Sequence, residues 1–302
     1  MRSWLFIPAD SERKLARGLE AGADMVILDL EDSVAACAKN QARANALAVL
    51  KERAGGRHAG RSPAIFVRVN GLAGPHCEQD LEAVLPGAPD GILLPKAGGG
   101  RDVARLDARL TAGEALCGIP EGATAIAAIA TETAASLFAL GSYAGASPRL
   151  AALTWGAEDL SAELGARAVF DESGGLTAPY VLARALCLAG AVAAGAAPID
   201  GIYAAFADEE GLRTECAAAA RDGFTGKLAI HPAQVPVINA AFTPSAAEIE
   251  HARAVIAAFD AAGRPGTIGF EGKMLDLPHL KRAEKLLGRA AVAAASKAGT
   301  RK

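Results

Sequence analysis

Short apolar runs alternate with longer stretches of helical periodicity along the whole chain. The runs predict strands over residues 4–8, 25–30, 64–70, 91–95, 125–131, 151–155, 200–204 and 227–231. Each is apolar at consecutive positions and rich in Ile, Val and Leu, as parallel strands covered on both faces are. Between and after them the pattern predicts helices over 12–21, 39–53, 77–85, 101–112, 134–141, 178–194, 209–222 and 234–240. Eight strand-then-helix units in sequence predict an α/β fold, a closed (β/α)8 TIM barrel over residues 1–242. An open doubly wound sheet is the rival. That fold carries a Gly-rich phosphate turn after its first strand, whereas here the first strand runs into Pro8-Ala9-Asp10 with no such turn.

No linker divides the units. The Gly-rich stretches 54–60 and 97–100 read as loops inside them. Residues 243–302 read as a C-terminal helical extension with a lid segment. Thr243-Pro-Ser-Ala-Ala-Glu248 opens a helix expected over 244–260. Residues 263–276, with four glycines and a proline, read as a hinge, a last helix is expected over 278–287, and the small, basic tail beyond Arg289 is expected to fray.

In a barrel the carboxyl ends of the strands share one face, where active sites are built. The predicted ends bring together Asp29-Leu-Glu31-Asp32, Arg68-Val-Asn70, Pro95-Lys96, Glu132, Glu158-Asp159 and His231. Glu132 and Asp159 stand at the ends of successive strands. Each alone serves equally well to cap the helix that follows. Together they suit one hard cation, since Mg²⁺ takes one or two protein carboxylates plus water and substrate oxygens. Arg68 interrupts a strand that otherwise reads Ile-Phe-Val. A buried Arg needs an anion, either the Asp29–Asp32 cluster or a substrate oxyanion or carboxylate. His231, before a Pro, reads as a structural histidine, and His251 and His279 as surface residues. Lys96 is a Schiff-base candidate in principle, but the paired acids favour the metal route.

Composition narrows the classes. A chain of 302 residues, 51% hydrophobic and 22% charged, can bury one large core. Net charge of −3 and pI near 6.0 exclude a broad basic surface, so no nucleic-acid partner is expected. Five Cys without a C-x-x-C pair read as reduced thiols of a cytoplasmic protein. No apolar run has the length of a membrane span or a secretory signal.

The ordered set Leu5-Phe-Ile-Pro8, Asp29-Leu-Glu-Asp32, Arg68-Val-Asn70, Leu94-Pro-Lys96, Glu132-Thr133, Gly156-Ala-Glu-Asp159 and Gly223-Phe-Thr-Gly-Lys-Leu-Ala-Ile-His-Pro232 resembles the citrate lyase β-subunit-like group of the HpcH/HpaI aldolase superfamily. Malyl-CoA and citramalyl-CoA lyases are among its members. Phe270-Glu-Gly-Lys-Met-Leu-Asp276 is similar to the C-terminal lid of its CoA lyases. The resemblance covers nearly the whole chain. It implies a Mg²⁺-dependent barrel (Mn²⁺ as the substitute ion) that assembles as a homotrimer or hexamer. It puts the metal on Glu132 and Asp159 and the keto-acid or enolate oxygens on Arg68. Glu31 and Asp32 become outer acids, Asp276 an acid/base delivered by a neighbouring subunit's lid. CoA phosphates fall to Arg13, Lys14, Lys39 and Arg43. Two positions depart from the family pattern. Ala9 replaces a Gly after the first strand, and Thr131 stands where a large aliphatic residue usually precedes the metal Glu.

The implied reaction is cleavage or formation of a 3-hydroxy-acid CoA thioester, with acyl-CoA and a 2-keto acid on the other side. Three alternatives stand beside it: a thioesterase using the same metal site, a citrate lyase β subunit working on an acyl-carrier-protein thioester, and a non-catalytic scaffold. The intact Arg68, Glu132, Asp159 and Asp276 set argues against the scaffold.

Overall fold

The computed structural model describes residues 1–54 and 63–298, with side chains through residue 293. All of the 54–60 loop but its first residue therefore lies outside the described residues. Eight parallel strands close into a barrel in sequence order. They are β1 (Ser3–Pro8), β2 (Met25–Asp29), β3 (Ala64–Arg68), β4 (Gly91–Leu94), β5 (Ala125–Ile129), β6 (Leu150–Thr154), β7 (Ala197–Asp200) and β8 (Gly226–Ala229). Strand β8 closes the ring on β1, Trp4 pairing with Leu228.

Alternation explains why the strands read apolar throughout. Within β2, Met25 and Ile27 point into the barrel with Trp4, Phe66, Ile129 and Leu228. Val26 and Leu28 point outward, against the helices. Burying each such side chain stabilises the fold by about 1.5–3 kcal/mol.

The outer helices are α1 (Glu12–Leu19), α2 (Lys39–Ala54), α3 (Cys77–Val84), α4 (Gly100–Cys117), α5 (Ala134–Leu137), α6 (Glu158–Leu164), α7 (Ala178–Ala193), α8 (Glu209–Asp222) and α9 (Gln234–Ala241). Two differences from the sequence reading stand out. The seventh strand is Ala197–Asp200 and not 200–204. Pro198 disguises it, because a proline argues against a central strand unless it stands at the strand's start. The short α6 was not anticipated; it begins directly on the Glu158-Asp159 pair.

Beyond α9 come α10 (Ala246–Ala261), β9 (Thr267–Phe270), β10 (Lys273–Asp276) and α11 (Leu277–Ala298). Helix α10 starts on a capping box. The Ser245 hydroxyl accepts from the Glu248 N–H at 3.2 Å, and the Glu248 carboxylate accepts from the Ser245 N–H at 2.7 Å. The segment read as a hinge is an ordered antiparallel hairpin of β9 and β10. Its two loop residues, Glu271 (φ 48°) and Gly272 (φ 75°), both have positive φ, as a tight type I′ turn requires. Gly272 thus serves a turn and not a hinge. Helix α11 runs past Arg289 to Ala298, where fraying was expected. Val255, Phe259, Leu275 and Leu280 give these elements a core of their own. Lys285, Arg289 and Ala293 of α11 share a small cavity with Arg2, Asp24 and Thr225, residues that immediately precede β1, β2 and β8. The second half of α11 therefore lies against the amino-terminal face of the barrel.

Candidate active site

The carboxyl ends of β2 to β6 carry a chain of opposite charges. Arg68, the last residue of β3, donates through Nε and Nη2 to the two oxygens of Asp29 at 2.7 and 2.6 Å. Its Nη1 lies 3.0 Å from Glu31. The guanidinium also sits over the Phe6 ring, 4.8 Å from the centroid. The Lys96 ammonium contacts Glu31, lies 3.0 Å from Asp32 and 3.6 Å from Asp159. The Lys96 backbone N–H donates to Glu132. Lys96 holds φ at 52°, left-handed for a non-glycine residue, a conformation that the surrounding structure must enforce. The turn after β4 thus offers its backbone to one acid and its side chain to three.

Burial decides the electrostatics. Asp29 is almost fully buried. Burial pushes its carboxyl up, and the hydrogen bonds and charge of Arg68 more than reverse this, leaving it below the usual range. Glu132 behaves oppositely. Burial, only partly offset by the Lys96 N–H and reinforced by the charges of Asp159 and Glu31, pushes it up to about 8. A buried acid in a cluster of acids is a site that favours an added cation.

Thr131 bridges two strand ends. Its buried hydroxyl donates to the Gly156 carbonyl at 3.3 Å and accepts from the Gly156 N–H at 3.1 Å. It thereby ties the end of β5, next to Glu132, to the turn after β6 that leads to Asp159. A Cβ at Gly156 would stand 3.2 Å from Cγ of Glu132, so a larger residue there would press on the Glu132 side chain and require it to give by a few tenths of an ångström.

A cavity of about 970 Å³ opens over this cluster. Asp32, Arg68, Glu132, Asp159, Phe170 and Tyr203 are among the residues that line it. Its size suits a substantial ligand. A second groove, about 410 Å³, lies between α1 and the ends of β1 and β8, lined by Arg13, Lys14, Arg17 and His231. His231 stacks on Phe206 at 5.1 Å and accepts from the Ala233 N–H, a packed role.

The other candidates are placed differently. Lys39 is buried, its ammonium donating to the carbonyls of Leu30 and Glu31 and to Asn70. Arg43 is buried against Asp80 at 2.8 Å. Lys39 turns its ammonium inward, under the loop that carries Glu31 and Asp32, and Arg43 turns its guanidinium towards α3. Asp276 ends β10 in the C-terminal unit, its carboxylate against His279. Among the described residues no group of three or more His, Cys, Asp or Glu forms a ready metal cage. A site of two protein carboxylates is what this cluster offers, and it fits a hard divalent ion that keeps water and substrate oxygens. Asp29 and Lys96 were legible as strand ends, but no spacing rule gave them their central place. His279 gave no signal beyond its position three residues after Asp276.

An eight-stranded barrel with acids, Arg68 and Lys96 gathered at its carboxyl end defines a TIM-barrel enzyme. The model of the HpcH/HpaI aldolase/citrate lyase family matches residues 2–232. The (3S)-malyl-CoA thioesterase of Cereibacter sphaeroides is 38% identical over 299 residues, covering 98% of this chain and 97% of that one. The L-malyl-CoA/beta-methylmalyl-CoA lyase of the same organism is 34% identical over 307 residues, covering 96% and 94%. Among solved structures, CitE from Mycobacterium tuberculosis, in complex with magnesium, acetoacetate and coenzyme A, matches with a TM-score of 0.75 and 33% identity, covering 96% of this chain and 98% of that one. The chain belongs to the HpcH/HpaI aldolase/citrate lyase family.

Proposed function

We propose that this protein is a Mg²⁺-dependent carbon–carbon lyase. It cleaves, or forms, a 3-hydroxy-acid CoA thioester of the malyl, citramalyl or citryl type, with acyl-CoA and a 2-keto acid as the other side of the reaction. The observation that carries this reading is Glu132, a buried acid raised to about 8 beside Asp159, in one cavity with Arg68.

Glu132 and Asp159 hold the ion, Mg²⁺ or Mn²⁺ in its place. When bound, the ion supplies a Lewis acid for the substrate's carboxylate and hydroxyl oxygens. Arg68, fixed by Asp29, brings positive charge to the oxygen on which the enolate develops. Glu31 and Asp32 act one step further out and orient Lys96. Asp276 takes the hydroxyl proton as the carbon–carbon bond breaks, and lid closure excludes water from that step. Arg13 and Lys14 in the groove beside β1 receive the CoA phosphates, while Lys39 and Arg43 support the site from beneath.

The lid belongs to a homo-oligomer, a trimer or hexamer. Its own unit leans on the opposite end of the barrel, and Val181, Leu182 and Val192 of α7 leave apolar surface for a neighbour. The five cysteines, none in a disulfide, suit a cytoplasmic protein. Among the described residues no helix is long and apolar enough to cross a membrane.

The thioesterase outcome is the second reading, favoured by the 38% identity to a malyl-CoA thioesterase. It uses the same residues and finishes with water. An acyl-carrier-protein substrate is less well supported, because the full-length lid suits a free CoA thioester. Turnover of a malyl- or citramalyl-CoA thioester must stop with EDTA and return with added Mg²⁺. Activity indifferent to EDTA overturns the reading.

A further inference from the structure

We propose that His279 is the residue that positions the lid's acid/base, a role that rests on the reading of Asp276 given above. Nδ1 of His279 lies 2.5 Å from Oδ1 of Asp276 and 3.3 Å from the Asp276 backbone nitrogen. One ring nitrogen cannot donate to the carboxylate and accept from the amide at once. A bare ring nitrogen 2.5 Å from a carboxylate oxygen would be repelled, so we assign the proton to Nδ1, which then donates to Oδ1.

Local structure makes the pair. Asp276 is the last residue of β10, immediately before α11, and His279 lies in the first turn of that helix, so the two side chains meet at the helix start. Both side chains are partly exposed, at 43% and 37%. Packing alone therefore does not hold the carboxylate, and rotation about χ2 is otherwise broad. The hydrogen bond occupies Oδ1 and leaves Oδ2 as the oxygen that meets substrate.

The proton balance is simple. In cleavage the substrate's O–H bond breaks and its proton goes to Oδ2. The O–H electron pair becomes part of the new keto carbonyl, and the pair of the broken carbon–carbon bond passes to the enolate. The Nδ1 proton stays where it is. His279 transfers nothing and touches no substrate; it holds the carboxylate in one rotamer.

The test compares kcat, KM, melting temperature and oligomeric state for His279→Ala, His279→Asn, Asp276→Ala and the double Asp276→Ala/His279→Ala. Misplacement of a reacting group costs up to about a hundredfold, so His279→Ala should lower kcat by about tenfold or more with KM and melting temperature little changed. Asn places an amide N–H where Nδ1–H stands and should recover most of the loss. In the Asp276→Ala background, His279→Ala should have no further effect. Normal kcat in His279→Ala while Asp276→Ala is inactive overturns the role of His279 and leaves Asp276 as read. Full additivity in the double variant, or loss in His279→Asn equal to that in His279→Ala, overturns it as well. Should His279→Ala fail to fold, His279→Phe, which keeps a ring and removes the Nδ1–H donor, takes its place in every comparison and should show the same loss. Full activity in Asp276→Ala removes the acid/base reading itself, and the positioning role with it.

Discussion

Arg68 and Asp29 meet in a two-pronged ion pair, Nε to Oδ1 at 2.7 Å and Nη2 to Oδ2 at 2.6 Å, at the shared end of neighbouring strands. The sequence offered two anions for this arginine, an internal acid or the substrate. In the structure the internal acid takes two of its donors. The pair fixes the guanidinium plane at the cavity, so geometry and not charge alone is at stake. Arg68→Lys keeps the charge and loses the fork. We expect kcat/KM to fall by at least about a hundredfold, within the loss known for single electrostatic donors. Arg68→Ala leaves Asp29 buried and unpaired and should destabilise the fold by about 3–5 kcal/mol, read as a lowered melting temperature. Near-normal turnover in a folded Arg68→Lys variant would show that a point charge suffices.

Glu132 gives the site a pH signature. Its carboxyl titrates near 8 in the ion-free protein, against 4.5 ordinarily. Between those values the folded state holds a proton that the unfolded state lacks, so this group's contribution to stability declines as pH rises from 4.5 to 8. A cation must displace that proton. Mg²⁺ binding, followed by calorimetry, should therefore strengthen as pH rises towards 8, level off above it, and release a proton below it. An affinity flat between pH 6 and 8 would contradict this.

Thr131 yields a narrower expectation. Thr131→Val keeps the shape and removes both hydrogen bonds to Gly156. With the ends of β5 and β6 no longer tied, Mg²⁺ affinity should weaken by about tenfold, the lower end for loss of a supporting contact. Unchanged affinity would leave the hydroxyl a purely local bridge.

How far the sequence reaches can be judged from single residues. The barrel was legible because both faces of each strand are apolar, so even strands with irregular ends stand out. The seventh strand was not, because Pro198 and the Gly195 turn look like loop chemistry. Glu132 and Asp159 were legible as acids ending apolar runs. Lys96 could be placed at the right face, but its contacts with Glu31, Asp32, Asp159 and Glu132 depend on a left-handed turn that no periodicity encodes. The Gly272 turn shows the same limit. Glycine marks a special backbone, and only the paired strands around it say which one.

Asp276 tests the assembly. If the lid acts on a neighbour, Asp276→Ala and Glu132→Gln subunits, each nearly inactive, should complement after mixing and reassembly. Random pairing of two kinds of subunit leaves about a quarter of the sites with an intact barrel and an intact lid. Recovery of activity towards that fraction supports completion in trans. Proven subunit exchange without recovery places the lid in cis.

The most direct measurement follows both possible products at once. The purified protein is given Mg²⁺ and, in turn, malyl-, methylmalyl-, citramalyl- and citryl-CoA, while 2-keto acid and free thiol are recorded separately. The account predicts that one thioester yields a 2-keto acid in step with its loss, that no free thiol appears, and that EDTA stops the reaction. Free CoA released with no keto acid, or keto acid formed at the same rate in EDTA, would contradict it.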